Sequence, residues 1–434
     1  MKISSSTNAP PHIQIPVRTA NTAMQRRVIV ATALGNALEI FDFTVYSFFA
    51  ALIGKLFFPV DGRYGSLLLS FATFGVGFVI RPIGGIVLGA YADRRGRKAA
   101  MTPTILLMAL GTAIIGLTPT YAQIGLAAPL LIVGARLLQG FSAGGEVGVS
   151  TTFLMESAAP GTRGYLVSWQ MASQGASALA GALCGFVLTH VLPADALESW
   201  GWRVPFLLGL IIGPVGLYIR RHLNETHHAL PVSDSRVVER ARYDVRRLVL
   251  GTLLMLGGTS SMYIVVLYLP SYLMTVVHLS AANAFLPSGV AGLILMMGSP
   301  LCGKLTDRLK RRKPILYVTS VAGLLVLYPA FAVMLRAPAM TTILPGVAII
   351  IVLKVLSSPG GFLLLMESFP REIRGRSLGI IYSLGVTLFG GFAPFTVTWL
   401  LSVTKNPYAP IWYMGACGLI SLIALMMFDE HVAD

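Results

Sequence analysis

Long apolar segments alternate with short polar ones along nearly the whole 434-residue chain. Most of the apolar segments reach about 20 residues, the length that a helix needs to cross the hydrocarbon core of a bilayer. The pattern therefore predicts twelve membrane spans, numbered one to twelve in chain order. The first six lie at 28–54, 66–90, 100–118, 124–149, 165–190 and 203–219. The second six lie at 248–276, 284–303, 314–335, 342–366, 375–401 and 408–428.

Composition supports a membrane protein. Hydrophobic residues make up 55% of the chain and charged residues only 12%, whereas a typical soluble domain carries about 25% charged residues. A soluble enzyme, a disulfide scaffold and a disordered protein are thereby excluded. The cysteines, Cys184, Cys302 and Cys417, all lie in apolar segments without metal-binding spacing, so we interpret them as membrane-buried side chains.

The basic residues are distributed unequally between the two sides of the predicted membrane. With the N-terminus inside, 25 Lys and Arg residues fall in cytoplasmic segments and 4 in outer loops. Because Lys and Arg are retained on the cytoplasmic side, this predicts an inner-membrane protein with both termini in the cytoplasm. The same distribution explains the net charge of +15 without a nucleic-acid partner. Residues 1–25 are polar and lack the apolar core of a secretory signal, which predicts a retained tail.

The chain repeats itself at about half its length. The segment from Gly89 to Asp93-Arg94, after span two, returns as Gly303 to Asp307-Arg308 after span eight. A parallel repeat of this kind is typical of transporters built from two similar helix bundles. We predict an N-terminal tail at 1–27, a first six-helix bundle at 28–219, a linker at 220–247, a second bundle at 248–428 and a C-terminal tail at 429–434.

Twelve spans in two halves, with Gly89-Ala-Tyr-Ala-Asp93-Arg-Arg-Gly-Arg97-Lys between spans two and three, resemble the major facilitator superfamily. The segments 35–43, 81–85 and 136–146 are similar to its metabolite:proton symporter branch, and 124–145 and 199–206 to the citrate and tricarballylate symporters in that branch. The resemblance implies an all-α membrane protein with two pseudo-symmetric six-helix bundles. It also implies alternating access to a central site.

Four polar residues form one stripe on span one: Asn36, Glu39, Asp42 and Tyr46 follow each other at intervals of three, three and four. A carboxylate at the bilayer centre costs about 2.5–3.5 kcal/mol on insertion scales, so two of them require a cationic partner or protonation. We predict a proton-coupling site with Asp42 as the carrier and Glu39 as its neighbour. The alternative is a permanently paired acid that holds span one against span four.

Other spans supply polar groups for the same region. Arg136 and Gln139 are three residues apart in span four, and an arginine fork can bind a carboxylate of the substrate or of the protein. Arg81 lies deep in span two, and Gln170 and Gln174 belong to a polar stripe on span five. We predict that these residues, with Asn36 and Tyr46, contact substrate. For Arg136 and Arg81 a structural ion pair remains the alternative.

Lys354 lies in the middle of span ten, directly before Ser357-Ser358-Pro359-Gly360-Gly361. That sequence predicts an interrupted helix, as expected where backbone lines a cavity. We predict that Lys354 binds substrate as the counterpart of Arg136 in the second half. The alternative is a lysine whose side chain reaches along the helix to the membrane surface.

The resemblance implies a gating role for the two related loops, through Gly89, Asp93, Arg97, Asp307 and Arg308. In the superfamily such loops latch the two halves together on the cytoplasmic side. A carboxylate placed at a helix N-terminus accepts its free NH groups, which would stabilise a closed state. The alternative is that these charges only set the orientation of the chain in the membrane.

The predicted function is import of a small organic anion, a tri- or dicarboxylate such as citrate, with protons as the coupling ion. We predict no enzyme activity, because the sequence has no Walker loop, GxSxG or HExxH motif, and neither a cofactor nor a metal site. The predicted partners are the substrate and the lipid bilayer, with the protein as a monomer. The alternative substrates are a zwitterionic osmolyte such as proline or betaine, or a shikimate-like or aromatic acid.

Overall fold

Helices make up all the regular structure in the part of the chain that the structure, a computed structural model, describes. That part comprises residues 22–95, 97–144, 154–155, 158–159, 161–210, 214 and 245–430. We label the helices that correspond to the twelve predicted spans α1–α12. Those of the first half are α1 (Thr22–Phe48, continued by Ala50–Phe57), α2 (Gly65–Val79 and Arg81–Arg95), α3 (Arg97–Leu117), α4 (Ala127–Ala143), α5 (Arg163–Val191) and α6 (204–210).

The second half is described almost without interruption. Its helices are α7 (Val245–Ser261, Met262–Tyr268 and Leu269–Thr275), α8 (Ala281–Asp307), α9 (Lys313–Arg336), α10 (Met340–Glu367), α11 (Arg371–Val386, Thr387–Gly391 and Ala393–Thr404) and α12 (Ala409–Met427). Short helices also lie between spans, at Tyr121–Ile124, Ala194–Ser199 and Gly201–Arg203.

Within the described ranges, eight helices are long and apolar enough to cross a membrane. The two parts of α1, bent by 64°, make a ninth span, and α3 and α4 contain shorter apolar helices at Thr102–Leu117 and Ala127–Ala143. Of span six only 203–210 and residue 214 are described, all of them helical. Where the helices are described at both ends, the predicted boundaries lie a few residues from the observed ones, because hydropathy marks the lipid-buried stretch. The ends of spans four and six lie outside the described residues.

The predicted interruption of span ten is wrong. The helix α10 runs from Met340 to Glu367 with Pro345 and Pro359 inside it. A proline removes one backbone donor, and neighbouring helices can accommodate that loss in a membrane. Irregular helix occurs instead as π-helical segments in α7, at Met262–Tyr268, and in α11, at Thr387–Gly391. Such segments are frequent at functional sites.

The two halves meet most extensively along α5 and α8, which pack antiparallel from the Gly164–Gly303 contact to the Gly185–Phe285 contact. Glycines allow the backbones to approach. A Cβ on Gly175 would stand 2.6 Å from the carbonyl oxygen of Gly292, and a Cβ on Gly303 would stand 2.6 Å from that of Gly164. Close helix approach through small residues is the usual way in which membrane helices associate. The seam therefore fixes α5, which carries the polar stripe, against the second half.

The loops divide between two ends of the bundle. The ends of α2, α8 and α10 with their predicted cytoplasmic loops form what we call the basic face, and the other end is the opposite face. The predicted tails and linker lie outside the described residues except for 22–27, 245–247 and 429–430. The predicted domain boundaries therefore stay predictions.

Candidate functional site

The polar stripe of α1 points into the protein. Asn36, Glu39, Asp42 and Tyr46 are all buried. The Asn36 Nδ2 donates to the Ser173 Oγ at 2.7 Å, and the Gln170 Nε2 donates to the Asn36 Oδ1 at 2.8 Å. Asn36 and Gln170, both predicted to contact substrate, therefore bind each other and join α1 to α5. These hydrogen bonds give the polar side chains partners that lipid could not provide.

Asp42 is connected to Arg136 through two intermediate side chains. The Thr112 hydroxyl on α3 donates to the Asp42 Oδ2, and the Gln139 Nε2 donates to the Thr112 Oγ1 at 2.9 Å. The Arg136 Nη1 donates to the Gln139 Oε1 at 2.8 Å. The result is a chain of hydrogen bonds that crosses α1, α3 and α4 and links a buried carboxylate to a buried guanidinium. In the low dielectric of a protein interior, the hydrogen bonds of such a chain polarise and strengthen one another.

Arg136 is 0% exposed and is surrounded by aromatic rings. Its guanidinium carbon lies 3.6 Å from the centroid of the Tyr46 ring, 5.2 Å from that of Phe43 and 5.6 Å from that of Phe74. Cation–π contacts of this kind stabilise a desolvated cation by about 2 kcal/mol or more. The Arg136 Nε and Nη2 have no hydrogen-bond partner among the residues described. The guanidinium thus retains donor capacity that a carboxylate could fill.

Arg81 also packs on the Phe43 ring. Its guanidinium carbon is 4.7 Å from the Phe43 centroid and 4.2 Å from that of Phe78. The Arg81 Nη2 lies 3.9 Å from the Glu39 Oε1, so the second acid of the α1 stripe has a cationic neighbour. This pairing corresponds to the structural alternative for Arg81, in which the arginine neutralises an acid of the protein.

A cavity of about 120 Å³ opens between α5 and the second half. A cavity of this volume can hold several water molecules, since each needs roughly 10–15 Å³. Gln174 enters it from α5, Tyr263 from α7, Lys354 from α10 and Tyr382 from α11. Hydroxyl groups provide most of its remaining polarity; they belong to Thr259, Ser320, Ser357, Ser358 and Ser421.

Lys354 is the cation of this cavity. Its Nζ lies over Gly258 of α7, where a Cβ would overlap with it. No carboxylate lies within 4.0 Å of that Nζ in the described ranges, and the cavity lining contains no Asp or Glu. The ammonium is therefore directed at internal space, which favours the predicted substrate role over a lysine that reaches to the membrane surface; that role stays a prediction.

The structure separates the two cations that the sequence predicted to share a site. Lys354 and Gln174 line the cavity, whereas Arg136 lies inside the first half behind Tyr46. Sequence reasoning missed Thr112, because a single threonine in an apolar helix carries no periodic signal. It also missed Tyr263 and Tyr382, whose positions depend on the π-helical segment of α7 and on the fold of α11.

At the basic face, Asp307 of α8 binds the first turn of α5. Its Oδ1 accepts the Gly164 NH at 2.6 Å and its Oδ2 accepts the Tyr165 NH at 2.9 Å. This contact joins the two halves. Arg308 is exposed beside it. Gly89 and Asp93 lie in α2 and Arg97 begins α3, but their side chains are outside the described set. The gating role of all five residues stays a prediction.

At the opposite face another contact joins the halves. The Arg63 Nη2, in the loop between α1 and α2, donates to the Thr275 carbonyl oxygen at 2.9 Å and lies 3.2 Å from the His278 Nε2. In addition, the Ser47 Oγ of α1 donates to the Leu267 carbonyl oxygen of α7 at 3.2 Å. The halves are therefore tied together at both ends of the bundle. Arg63 is one of the four basic residues that the sequence analysis counted in outer loops.

In this structure two helix bundles meet around a cavity, with a buried carboxylate in one bundle and a cation in the other. Such an arrangement is typical of secondary transporters. The chain belongs to the Major Facilitator Superfamily, whose family model matches residues 32–394. This confirms the resemblance seen in the sequence and the predicted fold of two six-helix bundles. It also confirms the prediction of a multi-pass membrane protein.

Proteins with similar sequences include named transporters. The chain is 36% identical over 417 residues to a citrate-proton symporter of Klebsiella pneumoniae, a match that covers 94% of this chain and 93% of that protein. It is 35% identical over 424 residues to a putative proline/betaine transporter of Staphylococcus aureus (strain COL), covering 94% and 89%. These relatives confirm the expectation of a transporter over an enzyme.

The fold is also that of a solved structure of a D-xylose-proton symporter. The TM-score is 0.77 at 20% sequence identity, and the match covers 93% of this chain and 97% of that one. A structure of a xylose transporter from E. coli in a partially occluded inward-open conformation matches with a TM-score of 0.77 at 18% identity, covering 95% and 100%. At these identities the likeness concerns the fold alone.

Proposed function

We propose that the protein is a proton-coupled secondary transporter that imports a small polycarboxylate such as citrate by alternating access. The observation that carries the substrate class is the Lys354 ammonium, which faces an internal cavity without an acidic neighbour in the described ranges. The relatives named citrate-proton symporters support the same class.

Electrostatics explains why an anion suits this cavity. A cation held near the membrane centre costs about 2.5–3.5 kcal/mol on insertion scales, and a bound carboxylate would offset part of that cost. The hydroxyl groups of Ser357, Ser358 and Thr259 line the same cavity and can donate hydrogen bonds to carboxylate oxygens. A substrate with several carboxylates could hold Lys354 with one and the hydroxyls with another.

For proton coupling we assign Asp42 as the carrier. Its Oδ2 accepts a hydrogen bond from Thr112, while its Oδ1 has no hydrogen-bond partner among the described residues. A buried, half-satisfied carboxylate is costly when ionised and less so when protonated. Asp42 can therefore take up a proton in one conformation and release it in another. Glu39, the neighbour of Asp42 on the same stripe, lies next to Arg81.

We assign the basic face to the cytoplasm, and with it both termini, because Lys and Arg are concentrated in its loops. The membrane is then the inner membrane. The Asp307 contact becomes a cytoplasmic latch and the Arg63 contact an external one. We also propose that the protein works as a monomer, without a nucleic-acid partner or a cofactor, and with the proton as its coupling ion.

A second candidate substrate is a zwitterionic osmolyte. It is favoured by the relatives named proline/betaine transporters and by the aromatic rings of Tyr263, Tyr382 and Phe362 in the cavity, which could receive a quaternary ammonium. Against it stands Lys354, which would repel that ammonium. The two candidates therefore differ in what they require of Lys354.

The test is uptake of radiolabelled citrate into proteoliposomes under an inward proton gradient, with mono-, di- and tricarboxylates, proline and betaine as competitors. Lys354→Met should weaken competition by tricarboxylates most, because a desolvated carboxylate loses its partner at a cost of about 2–5 kcal/mol.

The control is Lys310→Met, since Lys310 is an exposed lysine in the loop after α8. Equal losses for all carboxylates would refute the assignment of Lys354, and inhibition by betaine alone would favour the osmolyte.

Coupling is tested with Asp42→Asn in the same vesicles. The variant should lose accumulation against a concentration gradient and keep counterflow exchange, because exchange requires no net proton movement. If Asp42→Asn accumulates citrate as the wild type does, Asp42 is structural and the proton is carried elsewhere.

A further inference from the structure

Thr112 contacts both Asp42 and Gln139, the residue to which Arg136 donates. It is 1% exposed, so its hydroxyl is buried inside the protein. Three groups surround that oxygen: the Asp42 Oδ2, the Gln139 Nε2 at 2.9 Å and the Met108 carbonyl oxygen at 3.0 Å. A threonine hydroxyl has one proton to donate and two lone pairs to accept with. Two acceptors therefore compete for a single proton.

Arg136 fixes the direction of the hydrogen bonds on the other side of Thr112. A guanidinium can only donate, so the Gln139 Oε1, 2.8 Å from the Arg136 Nη1, must accept. The amide nitrogen of Gln139 then points to Thr112 and must donate. Gln139 also packs closely on α3, since a Cβ on Gly111 would stand 2.6 Å from the Gln139 Cγ. With these directions Thr112 accepts from Gln139, and its proton is left for Asp42 or Met108.

The two protonation states of Asp42 call for opposite roles from Thr112. An ionised carboxylate only accepts, so the Thr112 proton must point to Asp42. A protonated carboxyl can donate to Thr112, whose second lone pair is available, while the Thr112 proton turns to the Met108 carbonyl oxygen. Both arrangements satisfy every group around the hydroxyl without moving a heavy atom. The carboxylate itself is confined, because a Cβ on Gly209 of α6 would stand 2.7 Å from its Oδ1.

We propose that Thr112 is a positioning residue that holds Asp42 in both protonation states by turning its hydroxyl proton between the Asp42 Oδ2 and the Met108 carbonyl oxygen. This inference rests on the proposed function, in which Asp42 carries the proton. Thr112 neither gains nor loses a proton in the cycle. The proton that enters stays on Asp42, and only the direction of one hydrogen bond reverses. Because Gln139 always donates to it, the same hydroxyl keeps the carrier connected to Arg136 throughout.

The test compares the pH dependence of initial citrate uptake in proteoliposomes of the wild type, Thr112→Val and Thr112→Ser. Valine keeps the shape of threonine but cannot stabilise the ionised carboxylate, so half-maximal uptake should move to higher pH by about one unit, the effect of losing one hydrogen bond to a charged group. Serine keeps the hydroxyl and should restore the wild-type profile. Thr44→Val is the matched control, since its hydroxyl donates to the Ile40 carbonyl oxygen in the same helical manner.

Counterflow exchange, measured in parallel, reports whether each variant is folded. If Thr112→Val has lost counterflow, Thr112→Cys, with its weak S–H donor, takes its place and should show a smaller shift in the same direction. A profile of Thr112→Val or Thr112→Cys that coincides with the wild type overturns the proposal. So does a shift in Thr112→Ser equal to that in the valine variant. Failure of the proposed function is distinguishable, because it would appear as normal accumulation by Asp42→Asn.

Discussion

Replacing Asp307 with asparagine should loosen the contact between the two halves at the basic face. The carboxylate accepts two backbone NH groups of α5, from Gly164 at 2.6 Å and Tyr165 at 2.9 Å. Asparagine keeps one acceptor oxygen and loses the second together with the charge. A hydrogen bond to a charged group contributes about 1.5–3 kcal/mol, and the half-buried position of Asp307 places the loss near the lower end. At 1.4 kcal/mol per factor of ten, the open population should rise roughly 10- to 30-fold.

The assay is the rate at which a membrane-impermeant maleimide, applied at the basic face, labels a cysteine in the cavity. Ser357→Cys provides that cysteine in a background in which the native ones, Cys184, Cys302 and Cys417, are replaced. While the closed state predominates, the labelling rate follows the open population. Asp61→Asn is the control, because Asp61 is an exposed acid in the loop between α1 and α2.

Citrate affinity, measured by calorimetry, completes the experiment. A latch should change the labelling rate more than the affinity. An unchanged labelling rate with an affinity loss greater than tenfold would mean that Asp307 acts on the substrate site, and the reasoning would be refuted.

Two further predictions concern the other contacts between helices. Arg63→Gln should open the opposite face, raising maleimide labelling of Ser357→Cys from that side about two- to fivefold, as expected for an exposed hydrogen bond of a charged group; an unchanged rate would contradict an external latch. Gly258→Ala should displace the Lys354 Nζ and weaken citrate binding about tenfold in calorimetry, while Gly323→Ala, whose Cβ meets open space, should not. Equal affinities in the two alanine variants would show that Lys354 does not bind citrate from its present position.

The polar stripe of α1 shows how far the sequence alone could go. A spacing of three and four residues identifies one face of a helix, and the cost of a carboxylate in lipid requires that face to point inward. Asn36, Glu39, Asp42 and Tyr46 are accordingly all buried. The i, i+3 spacing of Arg136 and Gln139 likewise allowed the hydrogen bond that they make. Hydropathy was enough to predict the spans, and the motif from Gly89 to Lys98 with the other matching segments indicated the family.

The partners across helices depended on the tertiary structure. Periodicity identifies which face of a helix is buried, but not which helix packs against it or at what height. Thr112 had no sequence signal, and its position between Asp42 and Gln139 exists only because α1, α3 and α4 meet there. Arg136 and Lys354 lie in spans four and ten, which correspond in the repeat, yet of the two only Lys354 lines the cavity, since rings of α1 and α2 surround Arg136. Hydropathy measures transfer from water to lipid, a property of each segment by itself, whereas these contacts arise from packing between segments.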